Sequence, residues 1–416
     1  MRIWYFNHYA GGPGIGKYAR AYQLSRRWAE AGHEVIVFLA SFHHLLDDPE
    51  SLPNDAMVGP VRYVALPARS YKGNGAKRLL NMGDYCRAML RLPSRVPQEF
   101  GKPDVVIASS PHPFAIFPAR RLARRYGAKL VFEVRDLWPL SITEINGTPV
   151  WHPFVLASWV AERFAYSRSD VVGSLLGGAE SYMRGRGLKR GRFVHVPNGI
   201  ALDEATTPIQ PTTSAGLAAA RQVQAWRGEG RTILVYAGAQ GVPNGLDRLL
   251  AALSRLNVEG YRERLGVLLV GSGTLTEELK GSARAQGIDN AVFIPPVPKR
   301  ESLWIIANSD IGYAGGRNQK TIYRYGISYN KIMDYMLGGV PVVLPISAAA
   351  DPVSASGGGI VTGSDEPAAI AAAIAELIDM EGPRRRQLGE RAKAYVEANF
   401  DYSYIAANYI AAINQE

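Results

Sequence analysis

One cysteine, Cys86, occurs in 416 residues, which excludes an internal disulfide and any multi-cysteine metal site. No apolar run reaches the roughly 18 residues that would suggest a membrane span. The seven histidines show no ligand spacing: His43 and His44 are adjacent and point apart on a helix or strand, and His8, His33, His112, His152 and His195 are scattered. No metal is assigned. Acidic tails and low-complexity tracts are absent too. Strand-like Arg2-Ile-Trp-Tyr-Phe follows Met1, so no signal peptide is expected, and a cytoplasmic enzyme is the default expectation.

What is present describes a globular protein, with 47% hydrophobic and 20% charged residues. The length fits two domains of about 200 residues each. Charge is unevenly placed. Residues 1–200 carry 27 Lys/Arg against 15 Asp/Glu, whereas residues 201–416 carry 20 against 22. An anionic partner is therefore expected to meet the first half. No nucleic-acid-binding signature accompanies the charge, so lipid headgroups or a lipid diphosphate are the expected partners rather than nucleic acid.

Short β-branched or aromatic runs alternate with helical patterns. In the first half the strand candidates are Arg2–Phe6, Glu34–Leu39, Val61–Leu66, Asp104–Ala108, Lys129–Arg135, Val171–Val172 and Arg192–Val196, with helices over Gly16–Ala31 and Pro113–Tyr126. Residues 201–230 lose the rhythm and read as a linker with a short helix. Strands resume at Arg231–Ala237, Leu265–Val270, Ala291–Ile294, Ile311–Tyr313, Val340–Leu344 and Gly359–Val361. The expected class is α/β: a Rossmann-like domain over 1–200 and a second over 231–399, parallel sheets facing a central cleft, with the last helix, about 400–416, packing back onto the first domain.

Several motifs sit where such sheets present ligands. Gly11-Gly-Pro-Gly-Ile-Gly-Lys follows the first strand and nearly matches a P-loop, but Tyr18 stands where Ser or Thr must hold magnesium, so ATP or GTP hydrolysis is not expected. Its Gly14 and Gly16 allow either close backbone approach to an anionic ligand or simply a tight turn. Glu133-Val-Arg135-Asp136-Leu-Trp-Pro puts a cation, a carboxylate and an aromatic at a strand end; an Arg–Asp pair supporting the loop would account for the same residues. Pro197-Asn-Gly reads as a turn. Gly238, Gly241 and Gly271 lie in βα turns, and Pro295-Pro-Val297-Pro-Lys299 is either a stiff connector or a loop offering backbone groups to a base edge. Lys77, Arg78, Arg87, Arg91 and Arg95, with Arg120 and Arg121, alternate with leucines; they suit either a membrane-facing surface or the solvated face of ordinary helices.

Residues 323–343 carry the most information. A polar loop with Ser328, Asn330 and Lys331 runs into a helix bearing Asp334, and Gly338-Gly339 stops that helix before Val340-Pro-Val-Val. A helix N-terminus beside a lysine suits a diphosphate, and a carboxylate one turn on can accept hydrogen bonds from vicinal hydroxyls.

Across nearly its whole length the chain resembles retaining glycosyltransferases of family four with the GT-B fold, and is similar to the bacterial surface-polysaccharide branch that includes N-acetyl-L-fucosaminyl transferases. The likeness rests on the Gly11–Gly16 loop, Ser109-Ser-Pro-His-Pro, Glu133-Val-Arg-Asp-Leu-Trp-Pro, Val196-Pro-Asn-Gly, Tyr236-Ala-Gly with Gly245-Leu-Asp, Gly271-Ser-Gly, and the segment from Tyr323 to Met336. The resemblance implies a metal-independent transferase using a nucleoside-diphosphate sugar, a UDP-sugar by family analogy, with a lipid-linked or glycan acceptor entering from the basic domain. Arg135 and Asp136 would serve catalysis. Gly14, Gly16, Gly238, Gly241, Gly271, Val297, Arg324, Ser328, Asn330, Lys331, Ile332 and Asp334 would hold the donor. Lys77, Arg78, Arg87, Arg91, Arg120 and Arg121 would face the acceptor or an anionic inner-membrane surface.

Three positions depart from the family pattern. Asp334 matches its second acid, but Gly326 stands eight residues earlier where the first glutamate is usual. Arg135 replaces a histidine, and the usual diphosphate-gripping Arg and Lys are replaced around Ala239-Gln240 and Asn244, with Arg317, Lys320 or Arg324 as alternative sources of charge. A nucleotide-sugar 2-epimerase and a non-catalytic sugar-nucleotide-binding paralogue are the rival expectations.

Overall fold

The computed structural model describes residues 1–16, 19–73, 75–92, 99–203, 208–318 and 320–415. Lys17, Tyr18, Arg95 and the Lys320 side chain lie outside this description. The chain forms two compact units, Met1–Asn198 with Tyr402–Glu416, and Gly199–Asp401.

The first unit contains β1 (Arg2–Asn7), β2 (Glu34–Ala40), β3 (Asp55–Val58), β4 (Val61–Leu66), β5 (Val105–Ser110), β6 (Lys129–Val134), β7 (Val171–Ser174) and β8 (Arg192–His195). They form one sheet in the order β3-β4-β2-β1-β5-β6-β7-β8. All pairings are parallel except β3 on β4. Strands covered on both faces must be apolar throughout, and Ile3-Trp-Tyr-Phe and Val105-Val-Ile-Ala are fully buried. Trp4, Phe6, Phe38 and Phe100 interlock there, with Phe6 stacked on Phe38 at 4.6 Å. Strand β3 was not expected; Asp-Ala-Met-Val is an edge strand with no strong apolar alternation, and its pairing comes from the turn at Gly59.

The helices of this unit are α1 (Arg20–Glu30), α2 (Ala76–Arg91), α3 (Ile116–Tyr126), α4 (Leu140–Asn146), α5 (Pro153–Arg168) and α6 (Glu180–Gly185). Right-handed crossovers place α1 on one face of the sheet and α2, α3 and α5 on the other, because the chain moves in opposite directions from β1. The helix expected from Gly16 starts at Arg20; Gly12 and Gly16 instead bridge each other, closing the glycine loop before the helix begins.

The second unit opens with α7 (Ser214–Gly228), followed by β9 (Thr232–Ala237), α8 (Leu246–Val258), β10 (Leu265–Val270), α9 (Thr276–Ala285), β11 (Ala291–Ile294), α10 (Lys299–Ala307), β12 (Ile311–Tyr313), α11 (Lys320–Tyr323), α12 (Asn330–Leu337), β13 (Val342–Leu344), α13 (Pro352–Ser356), β14 (Gly359–Val361), α14 (Pro367–Asp379) and α15 (Gly382–Asn399). Its parallel sheet runs β11-β10-β9-β12-β13-β14. Ile233 and Val235 of β9 feed one core, Leu234 and Tyr236 the other, as alternation requires.

The stretch 201–230 corrects the linker expectation. Thr213 caps α7 through its side chain, and Ala219, Val223 and Trp226 are buried in the second unit's core. The small-residue composition of α7 hid its apolar stripe. The strand expected from Val340 begins at Val342, since Gly339 still turns with φ +68° and Val340 N–H caps Tyr335.

After α15 the chain returns to the first unit as α16 (Tyr402–Asn414), which packs on α1. Trp28 Nε1 donates to Ala406 O at 3.0 Å, and the carbonyls of Ala412 and Ile413 at the helix C-terminus accept from Arg192 and Lys129. Cations at this end complement the helix dipole.

Candidate active site

In the second sheet the strand order reverses direction between β9 and β12, the first and fourth strands of the unit. Ligands of open α/β sheets bind at such a switch point, beyond the carboxyl ends of the strands. Four segments converge there: the turn after β9, the residues before α8, the loop after β12, and the start of α12.

Lys331 joins them. Its stem passes Gly238, and its Nζ donates to Asn244 Oδ1 at 2.5 Å and lies 3.4 Å from both Tyr236 Oη and Gly315 O. The rings of Tyr236 and Tyr329 face the ammonium at 4.9 and 5.4 Å. Every one of these partners is neutral. Burial pushes the Lys331 pKa down to about 8. A desolvated cation surrounded by neutral acceptors gains most from an incoming anion.

The backbone adds to this. Neither α8, which starts after Gly245, nor α12, which starts after Tyr329, has a side-chain N-cap, so both helix starts present amides and dipoles toward the same region. Close loop packing requires glycine: a Cβ on Gly271 would collide with the Gly238 carbonyl oxygen, and one on Gly315 would stand 2.5 Å from Asn244 O. Gln240, which replaces a charge expected from the family pattern, is buried and donates to Leu269 O and Gly271 O, locking the two glycine turns together.

Asp334 lies one turn beyond Lys331. Lys299, the first residue of α10, donates to its Oδ2 at 2.5 Å; among the described residues Oδ1 has no hydrogen-bond partner. The carboxyl is 22% exposed, and burial raises its pKa despite Lys299. The stiff 295–299 loop thus supplies a cation to Asp334, while Val297 rests on the core.

The other expected residues lie in these same segments or just outside them. Arg324 is exposed and folds onto the ring and hydroxyl of its neighbour Tyr325. Arg317 pairs with Asp247 at 2.9 Å, at the first turn of α8. Ile332 N–H bonds Tyr329 O, and Asn330 is exposed at the helix start. Gly241 lies in the turn after β9, its N-terminal neighbour Gln240 buried. Gly326 is buried with φ +112°, a backbone conformation that glutamate rarely adopts.

The first unit reverses strand order between β1 and β5. Arg135 and the exposed Asp136 follow β6 beside it, and Ser110 Oγ accepts from Arg135 N–H. Glu133, first of the Glu-Val-Arg-Asp run, is wholly buried: it accepts from Tyr5 and Ser109 at 2.8 Å and pairs with Arg20 at 3.2 Å, while Arg20 also donates to Val196 O and Pro197 O. That ties the Pro197-Asn198 turn to β6. Histidines scattered in sequence meet here: His8 Nδ1 lies 2.9 Å from His112 Nε2 and His8 Nε2 lies 2.7 Å from Asn81 Oδ1. Asn81 Nδ2 donates to Phe42 O and Arg69 O, so its Oδ1 accepts; His8 therefore carries its proton on Nε2 and accepts from His112. Burial lowers both pKa values, His112 to about 3. Gly14, with φ +69°, is open on its outer side, whereas a Cβ on Gly16 would strike Leu45 O.

Residues 14–199 match the glycosyl transferase 4-like domain, and residues 231–380 match glycosyl transferases group 1. The chain belongs to the GT4 glycosyltransferases. Both halves of this glycosyltransferase are accounted for by these matches. No curated protein matches its sequence significantly. Among solved structures, sucrose-phosphate synthase from Thermosynechococcus elongatus superposes with a TM-score of 0.73 at 16% identity, over 99% of this chain and 97% of that one. WaaG, a glycosyltransferase involved in lipopolysaccharide biosynthesis, gives 0.67 at 15%, over 100% of each chain. Anabaena Alr3699/HepE, solved in complex with UDP-glucose, gives 0.65 at 13%, over 99% of each. At these identities the likeness establishes the GT-B fold.

Sequence reasoning did not find Tyr236, Gly315, Tyr329 or Lys299 as neighbours of the key side chains. The signal was weak: each sits at the end of a different element, and only the sheet order brings them together. Among the described residues no three metal-ligating side chains converge.

Proposed function

We propose that this glycosyltransferase moves a sugar of the HexNAc or deoxy-HexNAc class from a UDP-sugar to a lipid-linked or glycan acceptor in surface-polysaccharide synthesis. The observation that carries the donor assignment is Lys331, a half-buried ammonium held by neutral acceptors between two uncapped helix starts at the sheet's switch point. In this reading Lys331 and the first amides of α12 hold the diphosphate, and Asp334 accepts from the ribose hydroxyls. The UDP-glucose bound to Alr3699/HepE, a protein of the same fold, supports a uridine nucleotide.

Transfer with retention needs little covalent chemistry from the chain. The bond from the anomeric carbon to the diphosphate breaks, the acceptor oxygen bonds the same face, and a diphosphate oxygen takes the acceptor's proton. The protein's part is placement and electrostatic stabilisation of the leaving diphosphate. Arg135 and Asp136 are assigned to the reacting end, and the cations of α2 and α3 to the acceptor side.

Thermal shift against UDP, GDP, ADP and UDP-sugars tests the donor. The correct nucleotide raises the melting temperature by mass action; no response to any uridine nucleotide refutes the assignment. The buried Gly326 in place of the usual glutamate favours one second reading, a nucleotide-binding paralogue without turnover. UDP binding with no sugar transfer to cell-derived lipid-linked acceptors would establish it.

A further inference from the structure

Large apolar side chains stand exposed on one short stretch of the first unit: Val150 (70%), Trp151 (72%), Leu156 (51%), Trp159 (51%) and Val160 (63%). Leu156, Trp159, Val160 and Arg163 follow helical i, i+3, i+4, i+7 spacing, so they share the outward face of α5, while Val155, Ser158, Ala161 and Glu162 face inward. A groove of about 610 Å³ runs between them and α4, walled by Leu140, Trp151, Leu156, Trp159 and Tyr182. Arg186 lies over the Trp159 ring at 4.5 Å. A cluster of this kind marks an interaction surface rather than ordinary solvent-facing helix.

The surroundings say what it meets. Helix α3 packs against both α2 and α5. Together these three helices carry ten Lys/Arg and two acids, and neither acid is a free surface charge: Asp84 pairs with Arg69 at 2.5 Å and Glu162 is buried. Phe117 of α3, exposed beside Phe164 of α5, extends the apolar area toward the Arg120–Arg125 cations. At the groove itself the carboxylate is Glu144. A second copy of the chain would bring one cation field against another, which opposes association. An anionic bilayer complements both features, since tryptophans settle at the headgroup level and Lys/Arg side chains meet lipid phosphates.

We propose that the outer face of α3 and α5, with the Val150–Trp151 loop, docks on an anionic membrane surface, Trp151 and Trp159 entering the headgroup layer. From charge alone the basic helices α2 and α3 suit either a membrane-facing surface or an ordinary solvated face; the apolar wedge on α5 favours the first and gives that surface a point of insertion. The inference does not depend on the identity of the donor.

The full-length chain, without nucleotide, is mixed with phosphatidylcholine–phosphatidylglycerol vesicles at low salt, and bound protein is measured by co-sedimentation. Binding is expected to these vesicles and to be much weaker to neutral phosphatidylcholine. The double variant W151A/W159A should lose about tenfold or more in partitioning while keeping its melting temperature and its response to UDP. Absence of binding to anionic vesicles, or binding untouched by the double variant, overturns the proposal. Self-association that the double variant abolishes, without vesicle binding, assigns the patch to a second copy and overturns it equally.

Discussion

Lys331 Nζ donates to Asn244 Oδ1 across 2.5 Å, so the start of α12 is tied to the residues just before α8 through an ammonium that has no carboxylate partner among the described residues. Asn244 stands near a position where the family pattern led us to expect a cation, and it supplies an oxygen that keeps the lysine in place.

A charge-dependent nucleotide affinity follows. Lys331→Met should weaken UDP binding by about 2–3 kcal/mol, the scale of a lost charged hydrogen bond, and leave uridine binding nearly unchanged. Calorimetric titration of both ligands checks it. Since the free lysine titrates near 8, UDP affinity should fall as pH rises above that value, because the neutral amine must first take a proton; Lys331→Arg should flatten this fall.

Asp334→Ala should cost nucleotide binding about 1–3 kcal/mol, with the loss equal for UDP and uridine because the contact is to ribose. Loss confined to UDP would instead mean that Asp334 acts by holding Lys299 near the phosphates.

Restoring the family's acid should fail. Gly326→Glu places a Cβ and its side chain at φ +112° and is expected to destabilise by about 1–3 kcal/mol, read from urea midpoints, without raising transfer activity.

The Arg20–Glu133 pair has side chains 1% and 0% exposed. Glu133→Ala takes the carboxylate away from the buried Arg20 guanidinium and the acceptor away from Tyr5 and Ser109, and should cost about 3–5 kcal/mol in denaturant unfolding. The effect belongs to folding, because Glu133 supports the strand before Arg135 rather than facing ligand.

Glu162 is buried on the inward face of α5, and that burial lifts its pKa to about 7, with Tyr182, Arg186 and Tyr166 opposing the shift only in part. Below about pH 4.5 both states hold the proton. As pH rises from there toward 7 the unfolded chain ionises while the folded one keeps its proton, so stability falls by up to about 1.4 kcal/mol per pH unit. Glu162→Gln should remove this slope, making the variant the more stable protein near pH 8. The buried His8 and His112 act in the opposite sense, lowering stability as pH falls below the ordinary histidine range, and comparison of the two proteins at each pH cancels their share.

The sequence by itself determined the two α/β halves, since strands buried on both faces must be apolar runs, and the period change from strand to helix leaves a readable trace. It also located the α12 start, because Ser-Tyr-Asn-Lys before an amphipathic helix combines polar loop, cation and helix N-terminus within six residues. Other features had no such local mark. Helix α7 is rich in alanine and glutamine, and only its packing of Val223 and Trp226 fixes it in the second unit. Tyr236, Asn244, Gly315 and Lys299 acquire meaning through strand order, which sets β9 beside β12 and is encoded by long-range pairing rather than by neighbours in sequence. Whether Glu133 is a site residue or a support was decided by tertiary structure as well, because the same Glu-Val-Arg-Asp run alternates faces: Glu133 points into the sheet against Arg20 while Asp136 stands beyond its end in solvent.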